Sequence, residues 1–198
     1  MATMTDETDT SQDEEKSDDM ERKMYLRFAA MIITGMIVMY WTMFVASYEF
    51  SHIRFSQSRV YMALVMGGAM TLVMLAWMLN MYKNTKANIA IVAVGLLLLG
   101  LGTTLDRTQA TVGDVEFMQG MIPHHSLAIT RSERFNVEDY RVCELAVEIS
   151  EAQRREIAEM DWLIDDINEN GPASTRAEAE ARPVPSFLGD AVTECDPG

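Results

Sequence analysis

Three uncharged stretches dominate the pattern of polar and apolar positions. Residues 28–48, 60–82 and 87–105 contain no Asp, Glu, Lys or Arg. Each is near the ~20 residues that a helix needs to cross a ~30 Å hydrocarbon layer. Three such runs in so short a stretch exceed what a soluble core would bury, and in lipid only a helix bonds all of its own backbone. They therefore predict three membrane helices in a lipid bilayer. Tyr40, Trp41, Tyr48, Tyr61, Trp77 and Tyr82 gather toward the ends of the runs, as interfacial aromatics do.

Beyond residue 106 the apolar positions change to a helical period. Phe117, Met121, Ala128 and Ser132 share one stripe, with Ile122 and Ile129 beside it. The pattern breaks at Phe135 and Asn136. It restarts through Val142, Leu145, Ile149, Ile157, Met160, Leu163 and Ile167, and Gly171-Pro172 stops it. This predicts helices of about 20 and about 30 residues joined by a short turn. The chain is thus expected to be all-α: a disordered acidic tail (1–23), a three-helix membrane region (24–105), a helical hairpin (106–171) and a flexible tail (172–198) rich in Ala, Glu and Pro. Two amphipathic helices are half of a four-helix bundle, so a second copy or a membrane protein partner is expected.

Charge sharpens this division. The net charge of −14 is uneven: residues 1–27 hold nine acids against four bases, and 106–198 hold twenty against eight. The middle carries one acid and four bases. An acidic chain without a basic stripe argues against nucleic acid as a partner. The acidic start is the opposite of a secretory signal peptide. Only two cysteines occur, Cys143 and Cys195, too few and too far apart for a zinc ribbon. They would be free to pair in an oxidising compartment, or they stay apart with no role.

Candidate chemistry centres on two of the three histidines, in Met118-Gln-Gly-Met121-Ile-Pro123-His124-His125. On a helix Met121 lies one turn before both histidines, and Met118 lies two turns before His125 on the same face. Imidazole suits copper, zinc, iron and nickel, and thioether sulfur selects Cu(I) among them. Pro123 removes a backbone N–H beside the pair and opens the turn before it. The competing reading is a pair of histidines that pack or cap a helix. On the second helix Gln153, Glu156 and Met160 share a face that would meet the His pair in an antiparallel hairpin, or simply line the helix border and core. A further stripe, Met62, Met66, Met70, Met74 and Met78, recurs at four-residue steps in the second membrane run, and Met36, Met39 and Met43 share a face of the first. Such a stripe drifts around the helix, and methionine packs readily, so packing is the expected role.

The spacing Asp114-x-x-Phe117-x-x-x-Met121-Ile-Pro-His-His125-x-x-Ala128-Ile129 is followed by Leu145-Ala146-x-x-Ile149-x-x-x-Gln153-x-x-Glu156-Ile157-x-x-Met160-x-Trp162-Leu163. It resembles the domain of unknown function 305 family over roughly residues 112–168, and the three membrane runs resemble its membrane-anchored branch. The resemblance implies a ferritin-like helical bundle and a periplasmic copper-binding or copper-resistance role. It implies Met121, His124, His125 and Met160 as metal ligands, with Asp114, Met118 and Glu156 in reserve. Ser126 stands where many relatives carry Gln. A single hairpin is present where longer members have more helices, which makes a site completed within one monomer doubtful. A di-metal oxidase needs Glu-x-x-His motifs from two helices, and the chain has a single such spacing, Glu49-x-x-His52, so that chemistry is not expected. It also has no Gly-rich phosphate loop and no Cys–His pair close in sequence, so an enzyme is not expected. The alternative to a copper protein is a structural or assembly subunit with the His pair merely packed.

Short-loop cations set the expected topology. Arg22, Lys23, Arg27, Lys83 and Lys86 would face the cytoplasm, against Arg54, Arg59 and Arg107 outside. That places the chain in the inner (cytoplasmic) membrane with its N-terminus inside and residues 106–198 periplasmic or otherwise extracytoplasmic. A reporter fused after residue 198 should be active only outside the cytoplasm. Cytoplasmic activity of that fusion would reverse the orientation.

Overall fold

A computed structural model describes residues 4–189 and Cys195, with backbone alone for 4–15 and Ser17. Every regular element among the described residues is helical: α1 (Met4–Thr42), a 3₁₀ turn (Phe50–His52), α2 (Gln57–Met78), α3 (Thr85–Thr108), α4 (Asp114–Glu133), α5 (Tyr140–Asn170) and α6 (Arg176–Ala181). The chain divides into two units, Met1–Trp41 with Val60–Thr108, and Thr42–Arg59 with Gln109–Gly198.

The first unit contains three helices long and apolar enough to cross a membrane, at Asp18–Thr42, Gln57–Met78 and Thr85–Thr108. Their close approach rests on glycine. A Cβ at Gly68 would lie 2.6 Å from the Leu99 nitrogen, and one at Gly102 would lie 3.0 Å from the Tyr61 carbonyl oxygen. The α2 and α3 backbones therefore touch where side chains are missing, the usual device in lipid. Met36, Met70, Met74 and Met78 pack around a core of Phe28, Ile32, Leu75 and Tyr82, whereas Met62 and Met66 are exposed. The stripe divides between core and surface, as its drift around the helix requires.

Two expectations are corrected at the first helix. The acidic segment expected to be a disordered tail over 1–23 is helical from Met4. A Lys23–Asp19 pair at 2.7 Å adds a one-turn contact within it. The helix also ends at Thr42, six residues before the uncharged run does. There the Arg59 guanidinium lies over the Phe44 ring, 3.9 Å from its centre, and its Nη1 donates to the Met43 carbonyl. Residues 43–48 thereby join the second unit.

That unit is built on the α4–α5 hairpin, whose helices of 20 and 31 residues match the expected lengths. The Asp139 carboxylate accepts the Arg141 N–H at 2.9 Å and starts α5. Gly171, at φ 78°, ends it with its N–H on the Ile167 carbonyl at 2.9 Å. The left-handed backbone there favours glycine. Met118, Ile122, Ile129, Ile157 and Met160 form the core, and Tyr48 from the α1–α2 loop packs on it. Glu133 is buried against the Ser150 hydroxyl and the Arg154 guanidinium, at 2.7 Å. Burial alone would raise the Glu133 carboxyl, but the Ser150 and Arg154 hydrogen bonds outweigh it and hold the group below the usual carboxylate range.

The expected flexible tail over 172–198 is likewise corrected for the residues described. A capping box of Thr175 and Glu178 starts α6. Arg182 donates to the Asp166 carboxylate at 2.7 Å and to the Gly171 carbonyl at 3.1 Å. Cys143 and Cys195 form a disulfide across 52 residues of sequence. A chain held by a partly buried ion pair and a cross-link loses the freedom that its composition would allow. Residues 190–194 and 196–198 of that tail lie outside the described residues.

Removing one partner of a buried pair leaves the other uncompensated. Glu133→Gln should therefore destabilise the unit by about 2 kcal/mol, since Gln keeps one hydrogen bond but not the charge. Chemical denaturation of the purified chain checks this, and a cost no larger than that of a surface Glu→Gln control would contradict it.

Candidate functional site

Helix α4 runs unbroken through the buried Pro123 and turns His125 into the hairpin interface. The His125 Nδ1 lies 2.9 Å from the Met121 carbonyl oxygen, and Nε2 lies 2.7 Å from the Glu156 Oε2 of α5. A carbonyl oxygen only accepts, so Nδ1 carries a hydrogen. One proton then lies between Nε2 and the Glu156 carboxylate. The antiparallel register that joins His125 to Glu156 brings Met121 and Met160, each one turn away along its own helix, against the same core.

The other candidates separate. Met118 and Met160 are buried core residues, and Met121 is partly buried against them. His124 is exposed, its ring edge-on to that of His125 with centres 6.0 Å apart. Asp114 opens α4, where its charge suits the helix dipole. It stands eleven residues before His125, about 16 Å along the axis. Among the described residues no three His, Cys, Asp or Glu side chains gather as a metal-holding group. The structure thus joins His125 to Glu156 and gathers Met118, Met121 and Met160 in the adjoining core, with Asp114 apart.

Three residues at this site escaped the sequence reading. Ser126, fully buried beside His125, accepts the Tyr48 N–H at 2.7 Å and lies 2.9 Å from the His52 Nδ1. Glu49 Oε2 stands 3.8 Å from the other His52 nitrogen. A serine, a histidine and a carboxylate in line suggest a nucleophile. With no surface open to solvent, however, this oxygen meets no substrate and serves to hold the loop. Arg54 fastens the same loop through Asp161 at 3.1 Å, and Arg154 lies 4.7 Å from the centre of the Tyr48 ring. The available signals were a small hydroxyl residue on the buried stripe and a third histidine in the short loop between the first two apolar runs.

His52 has its pKa lowered, mainly by burial and further by Arg54 and Arg154, against the opposing pull of Glu49 and Asp161. The neutral ring with its hydrogen on Nε2 fits the contacts. Nδ1 then accepts from the Ser126 hydroxyl, and Nε2–H faces Glu49.

Comparison with known proteins places these residues in context. The family model described as "Domain of unknown function (DUF305)" matches residues 114–188. The chain is also similar to "Uncharacterized protein L153" of Acanthamoeba polyphaga mimivirus, at 32% identity over 139 residues, covering 69% of this chain and 90% of that relative. That likeness is longer than the whole stretch from Asp114 to Gly198, so it reaches back before the hairpin. No solved structure matches the chain.

The lowered His52 pKa gives a pH signature with a definite sign. Because the folded value lies below the unfolded one, the unfolded chain takes up the proton first as pH falls. Stability should then be full above about 6.5 and decline below it. Melting curves between about pH 7.5 and 5 should show this slope in the wild type and a flatter one in His52→Gln. Identical slopes would remove His52 from the account.

Proposed function

The chain belongs to the DUF305 family, and on that footing we propose that it is a membrane-anchored copper-binding protein that sequesters or hands on the ion outside the cytoplasm. The observation that carries this reading is the setting of His125. Its Nδ1 hydrogen is given to the Met121 backbone carbonyl, and its Nε2 is presented to Glu156. A carbonyl on the second nitrogen is the usual outer partner of a metal-binding histidine, because it fixes the tautomer and aims the other lone pair. Thioethers from Met121 and Met160 on the neighbouring turn make the donors soft. They fit Cu(I) better than zinc, which favours nitrogen, thiolate and carboxylate. His124 offers a further, exposed imidazole, and Asp114 drops out on distance. The role is binding without turnover, and the ion is cargo.

Location and assembly follow in the same reading. The Cys143–Cys195 disulfide favours an oxidising compartment, which agrees with the periplasmic or extracytoplasmic side assigned from the loop cations. Val142, Leu145 and Ile149 form an exposed apolar stripe on α5. This supports pairing of two hairpins into a ferritin-like four-helix bundle.

A structural role has its own support. Met118 and Met160 are core residues, and among the described residues no His, Cys, Asp and Glu group of three is assembled. Metal content separates the two readings. The full chain, purified in detergent and loaded with Cu(I) or Zn(II), should retain copper in preference to zinc. His125→Ala should weaken copper binding, and Glu156→Gln should do so by tenfold or more while the melting temperature shows a folded protein. Met121→Leu should cost less, since Leu keeps the packing. Copper retained unchanged by His124→Ala/His125→Ala would return the site to a structural fastening.

A further inference from the structure

The membrane unit holds a cavity of about 340 Å³, lined by Phe28, Ile32 and Met36 of α1 and by Ala90, Val94 and Leu98 of α3. Thr71 of α2 is its one hydroxyl-bearing lining residue. That hydroxyl is already bonded to the Gly67 carbonyl at 2.7 Å. The slot therefore suits an apolar chain and has no unmet polar demand.

Two helix stripes continue past one end of the slot, and both reach a cation. On α3, Lys86 precedes Ala90, Val94 and Leu98 at four-residue steps. On α1, Arg22 leads through Tyr25 and Ala29 to Ile32 and Met36 at steps of three and four. The Tyr25 hydroxyl joins these ends: it donates to the Asn88 Oδ1 at 3.0 Å and accepts the Asn84 N–H at 3.2 Å. Arg22, Lys83 and Lys86, all exposed, lie at this end of the slot, whereas Arg27, two residues from Tyr25, is on the opposite face of α1. Lys23 is engaged by Asp19. Asp18 and Glu21 oppose the three remaining cations, and the rim keeps a net positive charge.

Slot length identifies the occupant. From Ala90 to Leu98 the slot runs about 12 Å along the axis, and from the rim at Lys86 about 18 Å, on either measure near half of the ~30 Å hydrocarbon layer. That is the depth of one leaflet. A spanning helix from a second copy would need a groove of the full thickness. We propose that the slot holds one acyl chain of an anionic phospholipid, with the headgroup phosphate on the rim of Arg22, Lys83 and Lys86. Basic pockets between membrane helices recognise such headgroups through charge, while the buried chain supplies residence.

The test uses the full chain in neutral detergent, supplied with phosphatidylglycerol or phosphatidylcholine of equal chain length. Retained lipid is read by mass spectrometry of the intact protein, together with the melting temperature. Phosphatidylglycerol should be retained at one per chain and should raise the melting temperature more than phosphatidylcholine does. Lys83→Gln/Lys86→Gln should lose affinity by roughly fivefold per cation. Both side chains are exposed, so the fold is kept. Val94→Trp should fill the slot and lower retention of both lipids. Equal retention of the two lipids by wild type, or an unchanged preference in the lysine variant, would overturn the proposal. So would a lipid-free dimer that Val94→Trp dissociates, because a second copy would then own the slot.

Discussion

One buried hydroxyl carries the joint on which the second unit depends. Ser126 is closed to solvent, accepts the Tyr48 N–H and meets the His52 ring. Without it a backbone donor and an imidazole nitrogen would be buried unpaired, at about 1–3 kcal/mol each. A lone hairpin of two helices has too little surface to close its own apolar stripe. The α1–α2 loop acts as a third wall, bringing Tyr48 to the core and Arg54 to Asp161.

That joint also bears on the membrane count. A loop and a C-terminal domain that fold into one body must lie on the same side of the bilayer. That condition requires an even number of crossings between them, and two of the three helices long and apolar enough to cross a membrane, α2 and α3, lie there.

Much of the fold was legible because it is local. The lengths of α4 and α5, the stop at Gly171 and the three membrane helices all follow from periodicity, capping and charge within a few residues. What escaped depends on distant partners. Ser126 meets His52 across 74 positions and Tyr48 across 78. Residues 43–48 are apolar enough to extend a membrane run. They leave it because Arg59 and the hairpin core, neither visible to a local window, bind them elsewhere. Of the candidate ligands, the His125 and Glu156 contact followed from antiparallel register. The exposure of His124 was not evident from adjacency in sequence, because neighbours on a helix point about 100° apart.

The His125 and Glu156 pair divides its tasks by exposure. The His125 side chain is 10% exposed and held at both nitrogens, whereas that of Glu156 is 41% exposed. Any cation that takes the Nε2 lone pair must replace the proton now lying there, so proton and metal compete for one position. His125 has nowhere to turn, since Met121 fixes its far side. Glu156 is different: a half-exposed carboxylate can swing to water at little cost, or stay and neutralise the incoming charge. The fixed element of this site is therefore the imidazole, and the adjustable one is the carboxylate.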